Sequence, residues 1–298
     1  MKRDLVSISD LSKADIEELL ALALRMRNNP PSPSCKGLIL ASCFFEPSTR
    51  TRLSFEAAML RLGGSVIGFS ESENTSTKKG ESLADTMRVI GGYCDLAVIR
   101  HPREGSARVA AECCPKPVIN AGDGANQHPT QTLLDLFSIR ECQGKINDLS
   151  IAIAGDLKHS RTVHSLAQAL AHYAARLYFV SPEELQLPDG CAGELRKKGV
   201  KFSFHETLEE ILPKADILYM TRVQKERFQT PVAQIPLLKK GHLAKAKPTL
   251  RILAPLPRLE EVDVAIDATP QAYYFQQAQN GLYVRMALLE KFLGRSTP

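Results

Sequence analysis

Nine consecutive residues, Phe44-Phe45-Glu46-Pro47-Ser48-Thr49-Arg50-Thr51-Arg52, concentrate the groups that hold an oxyanion. They fall where an apolar run (38–45) gives way to a helical pattern through Leu53, Ala57 and Leu60. Ser48 is a good helix N-cap. Open N–H groups at a helix start, three hydroxyls and a guanidinium make a phosphate cradle. The same residues also describe an ordinary capped helix with a surface arginine, and spacing alone divides evenly between the two readings. The chain has no G-x-x-x-x-G-K-[ST] and no G-x-G-x-x-G, which removes support for nucleoside triphosphate and dinucleotide binding.

Three further arginines, Arg100, Arg161 and Arg222, each follow a strand-like stretch, and His128 precedes Pro129. An isolated arginine in such a place usually makes a surface ion pair, and a lone histidine before proline is usually structural. Three arginines at carboxyl ends of strands are harder to dismiss, because ligands of open α/β sheets collect there. No Cys pair has C-x-x-C spacing, so neither a zinc site nor a thioredoxin-like motif is indicated, and no metal or cofactor is expected.

The elements that must position these residues alternate along the chain. Ser12-Lys13-Ala14-Asp15 is a capping box, followed by an apolar stripe of Ile16, Leu19, Leu20, Ala23 and Leu24. The run 38–45 reads as a strand buried on both faces of a parallel sheet. Further strands are expected at 65–69, 96–99, 117–120, 151–154, 177–180, 217–220 and 249–253, with helices at 82–90, 105–112, 130–142 and 166–173. A last helix carries Leu282, Met286, Leu289 and Leu293 on one face. The expected fold is α/β: two doubly wound domains, each a mostly parallel sheet flanked by helices, linked by two long helices. The expected division is 1–129 plus 281–298 for one domain and 130–280 for the other.

Length agrees, since 298 residues suggest about two domains. A net charge of +5, evenly spread, is too mild for a nucleic-acid binder and suits small anionic ligands. No apolar run approaches the ~18 residues of a membrane span. Polar Ser7, Ser9 and Asp10 follow the N-terminus in place of a signal-peptide core, and the seven cysteines are odd in number and scattered. A reducing, cytoplasmic setting is the expectation.

The nine-residue segment closely resembles the carbamoyl-phosphate signature of the aspartate/ornithine carbamoyltransferase family. Further segments match its aspartate branch in order across nearly the whole chain: Arg100-His101-Pro102, the run 122–131, Gly155-Asp156-Leu157-Lys158, the run 219–227 and Pro255-Leu256-Pro257-Arg258. The resemblance implies carbamoyl transfer from carbamoyl phosphate to the amine of L-aspartate. It implies that Ser48, Thr49, Arg50 and Thr51 hold the phosphate, and that Arg100, His128 and Thr51 polarise the carbamoyl oxygen. Gln131 and the carbonyls of Pro255 and Leu256 would orient the carbamoyl amino group. Arg161, Arg222 and Gln224 would grip the aspartate carboxylates. Glu46 would bridge to Arg161 and Arg227 as substrates bind.

The resemblance also implies a homotrimer in which Ser76 and Lys79 serve a neighbouring subunit's site, possible association with separate regulatory chains, and no nucleic-acid or membrane partner. The loop around Lys79 is one residue shorter than the family pattern, which leaves Lys78 as the alternative. Two rivals stand beside this reading. An ornithine enzyme should carry a cysteine in an H-C-L-P segment, where this chain has Ala254-Pro255-Leu256-Pro257. A catalytically silent scaffold would have no reason to keep every type of substrate contact.

Overall fold

Ser12 starts helix α1 (Lys13–Asn28) as the sequence requires: the Asp15 amide donates to Ser12 Oγ at 3.2 Å, and Asp15 Oδ2 accepts from the Ser12 amide at 3.0 Å. Ile16, Leu19, Leu20 and Ala23 are buried, but Leu24 is exposed and Met26 takes its place against the core. The computed structural model describes residues 4–29, 32–70, 80–222 and 236–293.

The chain divides into two compact units, Met1–Phe137 with Gln279–Pro298, and Ser138–Ala278. Both divisions fall inside helices, α5 (Pro129–Gln143) and α8 (Tyr274–Leu293), so each of these helices contributes residues to both units.

In the first unit four parallel strands lie in the order β2-β1-β3-β4. They are β1 (Ile39–Phe44), β2 (Ser65–Ser70), β3 (Leu96–His101) and β4 (Val118–Asp123). Helices α2 (Thr49–Arg61), α3 (Leu83–Ile90) and α4 (Ser106–Cys113) connect them. Strand β1 is buried beyond its first residue, as a two-sided parallel strand must be. Its Ala41 and Cys43 pack with Ala97, Ile99, Met87 and Val118. Edge strand β2 is largely exposed.

In the second unit five parallel strands lie in the order β7-β6-β5-β8-β9. They are β5 (Ser150–Ala154), β6 (Arg176–Val180), β7 (Lys201–His205), β8 (Ile217–Met220) and β9 (Arg251–Leu253), with helices α6 (Arg161–Leu170) and α7 (Asp189–Lys197). Two elements were not expected from sequence. Strand β7 is an edge strand whose Lys201-Phe202-Ser203-Phe204 alternation lacks the continuous apolar run used to find the others. Helix α7 contains Gly190 and Gly193, which weaken the helical signal. Helix α6 also begins five residues before the expected 166, so Arg161 opens a helix and does not simply trail a strand.

Each sheet has one point where the chain reverses its direction of winding, between β1 and β3 in the first unit and between β5 and β8 in the second. Outside the carboxyl ends of such strand pairs a crevice forms. Arg100 lies at the end of β3 and the Ser48 turn follows β1; Arg161 follows β5 and Arg222 follows β8.

Candidate active site

In the first unit the turn after β1 is tied directly to β3. Phe44 is the register partner of Arg100, and the Phe45 amide donates to the Arg100 carbonyl at 2.8 Å. The Arg100 side chain then reaches back over the turn. Its Nε donates to Glu46 Oε1 at 2.7 Å and its Nη1 to Ser48 Oγ at 3.2 Å. This charge-assisted fork fixes the guanidinium plane at the mouth of α2.

Ser48 occupies the N-cap position of α2, but its hydroxyl makes no cap hydrogen bond. That departs from the expected capping role and has a physical consequence. The first-turn amides of Thr49, Arg50 and Thr51 lack that side-chain acceptor, which suits them to an anion. Arg52 is held away from the turn by Glu56, Nε to Oε1 at 2.7 Å, and Glu56 also accepts from Ser42 Oγ at 3.0 Å. Arg50 makes no ion pair among the described residues, and partial desolvation alone pulls its pKa below the usual arginine value. Thr51 is buried.

The loop after β4 brings His128 and Gln131 to the same end of this sheet. The Gly124 amide donates to the His101 carbonyl at 3.0 Å, and the Asp123 amide to the Gln127 carbonyl at 3.2 Å. His128 is buried with Nδ1 3.4 Å from Thr130 Oγ1, and its carbonyl receives the amides of Gln131 and Thr132 at the start of α5. Gln131 Nε2 donates to Asp135 Oδ1 at 2.8 Å.

In the second unit the residues that precede Arg161 and Arg222 touch each other. Ser160 Oγ lies 3.1 Å from Thr221 Oγ1 and 3.0 Å from Thr162 Oγ1, which links the start of α6 to the end of β8. Gly155, at φ 120°, allows the close crossing: a Cβ there would lie 2.1 Å from the Thr221 carbonyl oxygen. After β9 the segment carrying Pro255 and Leu256 is clamped from both sides. The Ala254 amide donates to Gln277 Oε1 at 2.8 Å. Arg258 forks onto Asp267, donates to Tyr274 Oη at 2.8 Å and lies over the Tyr274 ring at 4.9 Å. Burial first, and then its bond to Asp267, pushes the Tyr274 phenol up to about 12, so it stays a donor. Leu256 has φ 51°, a left-handed turn that sets the direction of the neighbouring carbonyls.

The structure therefore brings Glu46, Ser48 and Arg100 together, places Thr49, Arg50 and Thr51 in one helix turn beside them, and sets His128 and Gln131 at the same sheet end. Ser76, Lys78, Lys79, Gln224 and Arg227 lie outside the described residues. Sequence reasoning missed Asp135, the buried acceptor of the Gln131 side chain. The available signal was a run of polar side chains (Thr130, Gln131, Thr132, Asp135, Ser138) inside a helix that is buried along this length. Among the described residues no cluster of three or more His, Cys, Asp or Glu could hold a metal ion. Burial raises the Cys94 thiol to about 11 and the Cys142 thiol to about 12, which makes both poor nucleophiles.

Two family models, read in chain order, match this arrangement. Residues 3–141 match the aspartate/ornithine carbamoyltransferase carbamoyl-P binding domain, and residues 147–292 match the Asp/Orn binding domain of the same family. The chain belongs to the aspartate/ornithine carbamoyltransferase family. Within that family it is 52% identical to the aspartate carbamoyltransferase catalytic subunit of Chromobacterium violaceum, over 99% of both chains. It is similar to the catalytic subunit of M. jannaschii aspartate transcarbamoylase, with 47% identity, TM-score 0.91 and 98% of each chain covered. It is also similar to Trypanosoma cruzi aspartate transcarbamoylase in complex with carbamoyl phosphate and aspartate, with 38% identity, TM-score 0.91 and 96% and 95% of the two chains covered.

Proposed function

We infer that this chain transfers the carbamoyl group of carbamoyl phosphate to the amine of L-aspartate, releasing phosphate and N-carbamoyl-L-aspartate for pyrimidine synthesis. Arg222 just after β8, with Pro255 where an ornithine enzyme would have its cysteine, is the observation that favours an acidic amino acid. A product assay with aspartate and ornithine side by side tests it. Carbamoyl-aspartate is expected and carbamoyl-ornithine is not; the reverse would overturn the reading.

In this reading the first unit takes carbamoyl phosphate. Ser48, Thr49, Arg50 and Thr51 hold the phosphate. Thr51, Arg100 and His128 stabilise the carbamoyl oxygen as the carbon becomes tetrahedral. Gln131 and the carbonyls of Pro255 and Leu256 receive the carbamoyl amino group. Arg161, Arg222 and Gln224 take the carboxylates of aspartate. The amine attacks the carbonyl carbon, the C–O bond to phosphate breaks, and the departing phosphate accepts the amine proton. Catalysis is proximity and electrostatics, with no covalent intermediate. Glu46 orients Arg100 in this scheme, in addition to any bridge to Arg161 and Arg227.

We place the chain in the cytoplasm as a homotrimer of catalytic chains, with separate regulatory chains as further candidates for binding. Seven free cysteines fit a reducing compartment. Leu53 and Leu60, one heptad apart on the same face of α2, are exposed, as are Ile67 on edge strand β2, Val89 on α3 and Tyr93 just after it. Exposed apolar side chains of this kind suit contact with a second copy of the chain. If Lys79 completes a neighbour's site, Lys79→Ala and Arg50→Ala chains, each strongly impaired alone, should regain activity when mixed and reassembled. Hybrids that stay inactive would exclude shared sites.

A further inference from the structure

We propose that Asp135 and Arg285 are positioning residues that fix which end of the Gln131 amide meets the carbamoyl group. The proposal rests on the reading of Gln131 as the residue that receives the carbamoyl amino group. A primary amide presents an acceptor at one end and donors at the other, and it can turn over unless something holds it. To receive an NH2 group, Gln131 must offer its oxygen.

Asp135 lies one turn further along α5 and is fully buried. Its carboxylate accepts the Gln131 Nε2 hydrogen bond at 2.8 Å. An ionised carboxylate has no proton to donate, so only the nitrogen end of the amide can face it. Gln131 Oε1 is thereby directed away from Asp135.

Arg285 supplies a nearby cation that favours the charged form of that carboxylate. It lies on α8, is buried, and interacts electrostatically with Asp135, which opposes the desolvation that brings the guanidinium down to about 10. It remains a cation at neutral pH. Its guanidinium lies 5.3 Å from the Phe55 ring centroid on α2, the helix whose first turn holds Arg50. Gly281, one turn back on α8, makes room for it, because a Cβ there would stand 2.2 Å from Arg285 Nη1. Arg285 Nε is nonetheless buried without a hydrogen-bond partner. A buried cation with an unsatisfied N–H gives little net stability compared with an apolar side chain of similar volume. Stability therefore does not account for the pair, whereas holding Gln131 in one orientation does.

The test compares carbamoyl phosphate with acetyl phosphate, which keeps the carbonyl and phosphate but replaces NH2 by CH3. Both affinities are measured by calorimetry on the intact protein. Asp135→Asn presents both an oxygen and an NH2 group, so it no longer dictates the amide's direction. It should weaken carbamoyl phosphate about tenfold, roughly the effect of one lost hydrogen bond, while acetyl phosphate changes by less than about twofold. Because Asp135→Asn removes the charge that offsets the buried Arg285 cation, the double variant Asp135→Asn/Arg285→Met guards against misfolding and should show the same loss of discrimination. Parallel loss of both ligands, or an unchanged ratio in both variants, would overturn the proposal. Gln131→Ala separates the two levels. If it alters the ratio and the Asp135 variants do not, positioning is wrong while the site reading stands. If Gln131→Ala leaves the ratio at the wild-type value, the role given to Gln131 falls, and the proposal falls with it.

Discussion

Arg50→Ala is expected to reduce turnover about 10²–10³-fold, the usual effect of removing one preorganised group that stabilises charge developing in the transition state. Arg50 stands in the first turn of α2 with no carboxylate partner among the described residues, so its charge remains for a ligand. Its neighbours are engaged differently: Arg52 is bound to Glu56 and Arg100 to Glu46. Under the proposed role of Arg50, negative charge on the departing phosphate grows as the carbamoyl–oxygen bond breaks, so the contact would strengthen along the reaction coordinate. The loss should fall mainly on kcat, with the fold and thermal midpoint unchanged because the side chain is exposed and structurally uncommitted. Steady-state kinetics beside a melting curve check this. Near-normal turnover would remove the S-T-R-T turn from the phosphate site.

A second large effect is expected from Gly155→Ala. A Cβ at this position would lie 2.1 Å from the Thr221 carbonyl oxygen, and the backbone has φ 120°. Neither strand can easily yield. The Thr221 amide donates to Ala154 at 2.8 Å, the Gly155 amide donates to Val180 at 3.1 Å, and the Gly155 carbonyl accepts from Ser181 Oγ at 2.8 Å. Combining overpacking with an unfavourable φ, the loss should be about 2–5 kcal/mol, read as a lower denaturant midpoint. Any folded fraction should carry a displaced Thr221. Thr221 precedes Arg222 and its hydroxyl contacts Ser160, which precedes Arg161, so the KM for aspartate should rise while carbamoyl-phosphate binding is spared. A wild-type midpoint together with a wild-type aspartate KM would mean that the crossing is not rigid.

Local sequence determined a great deal about this protein. The α1 capping box, the doubly buried β1 and the placement of Ser48, Arg50, Arg100 and Arg222 near carboxyl ends of strands all follow from patterns within a few residues. Such patterns are legible because capping, apolar periodicity and β-strand burial act over one or two turns of chain. Where local signals were weak, reading them failed: glycines hid α7, alternation hid edge strand β7, and Leu24 shared the periodicity of its buried neighbours without sharing their burial.

Tertiary structure decided which polar groups face one another. Ser48 looks like a capping serine from its position, yet its hydroxyl receives Arg100 from 52 residues away. Asp135 looks like one more polar residue on a helix, and becomes a buried acceptor for Gln131 facing Arg285. Gly155 looks like any strand-end glycine until the Thr221 carbonyl, just after β8, packs against it. These pairings depend on strand order and on helices distant in sequence, because a buried donor or charge takes whichever partner the packed core brings within about 3 Å.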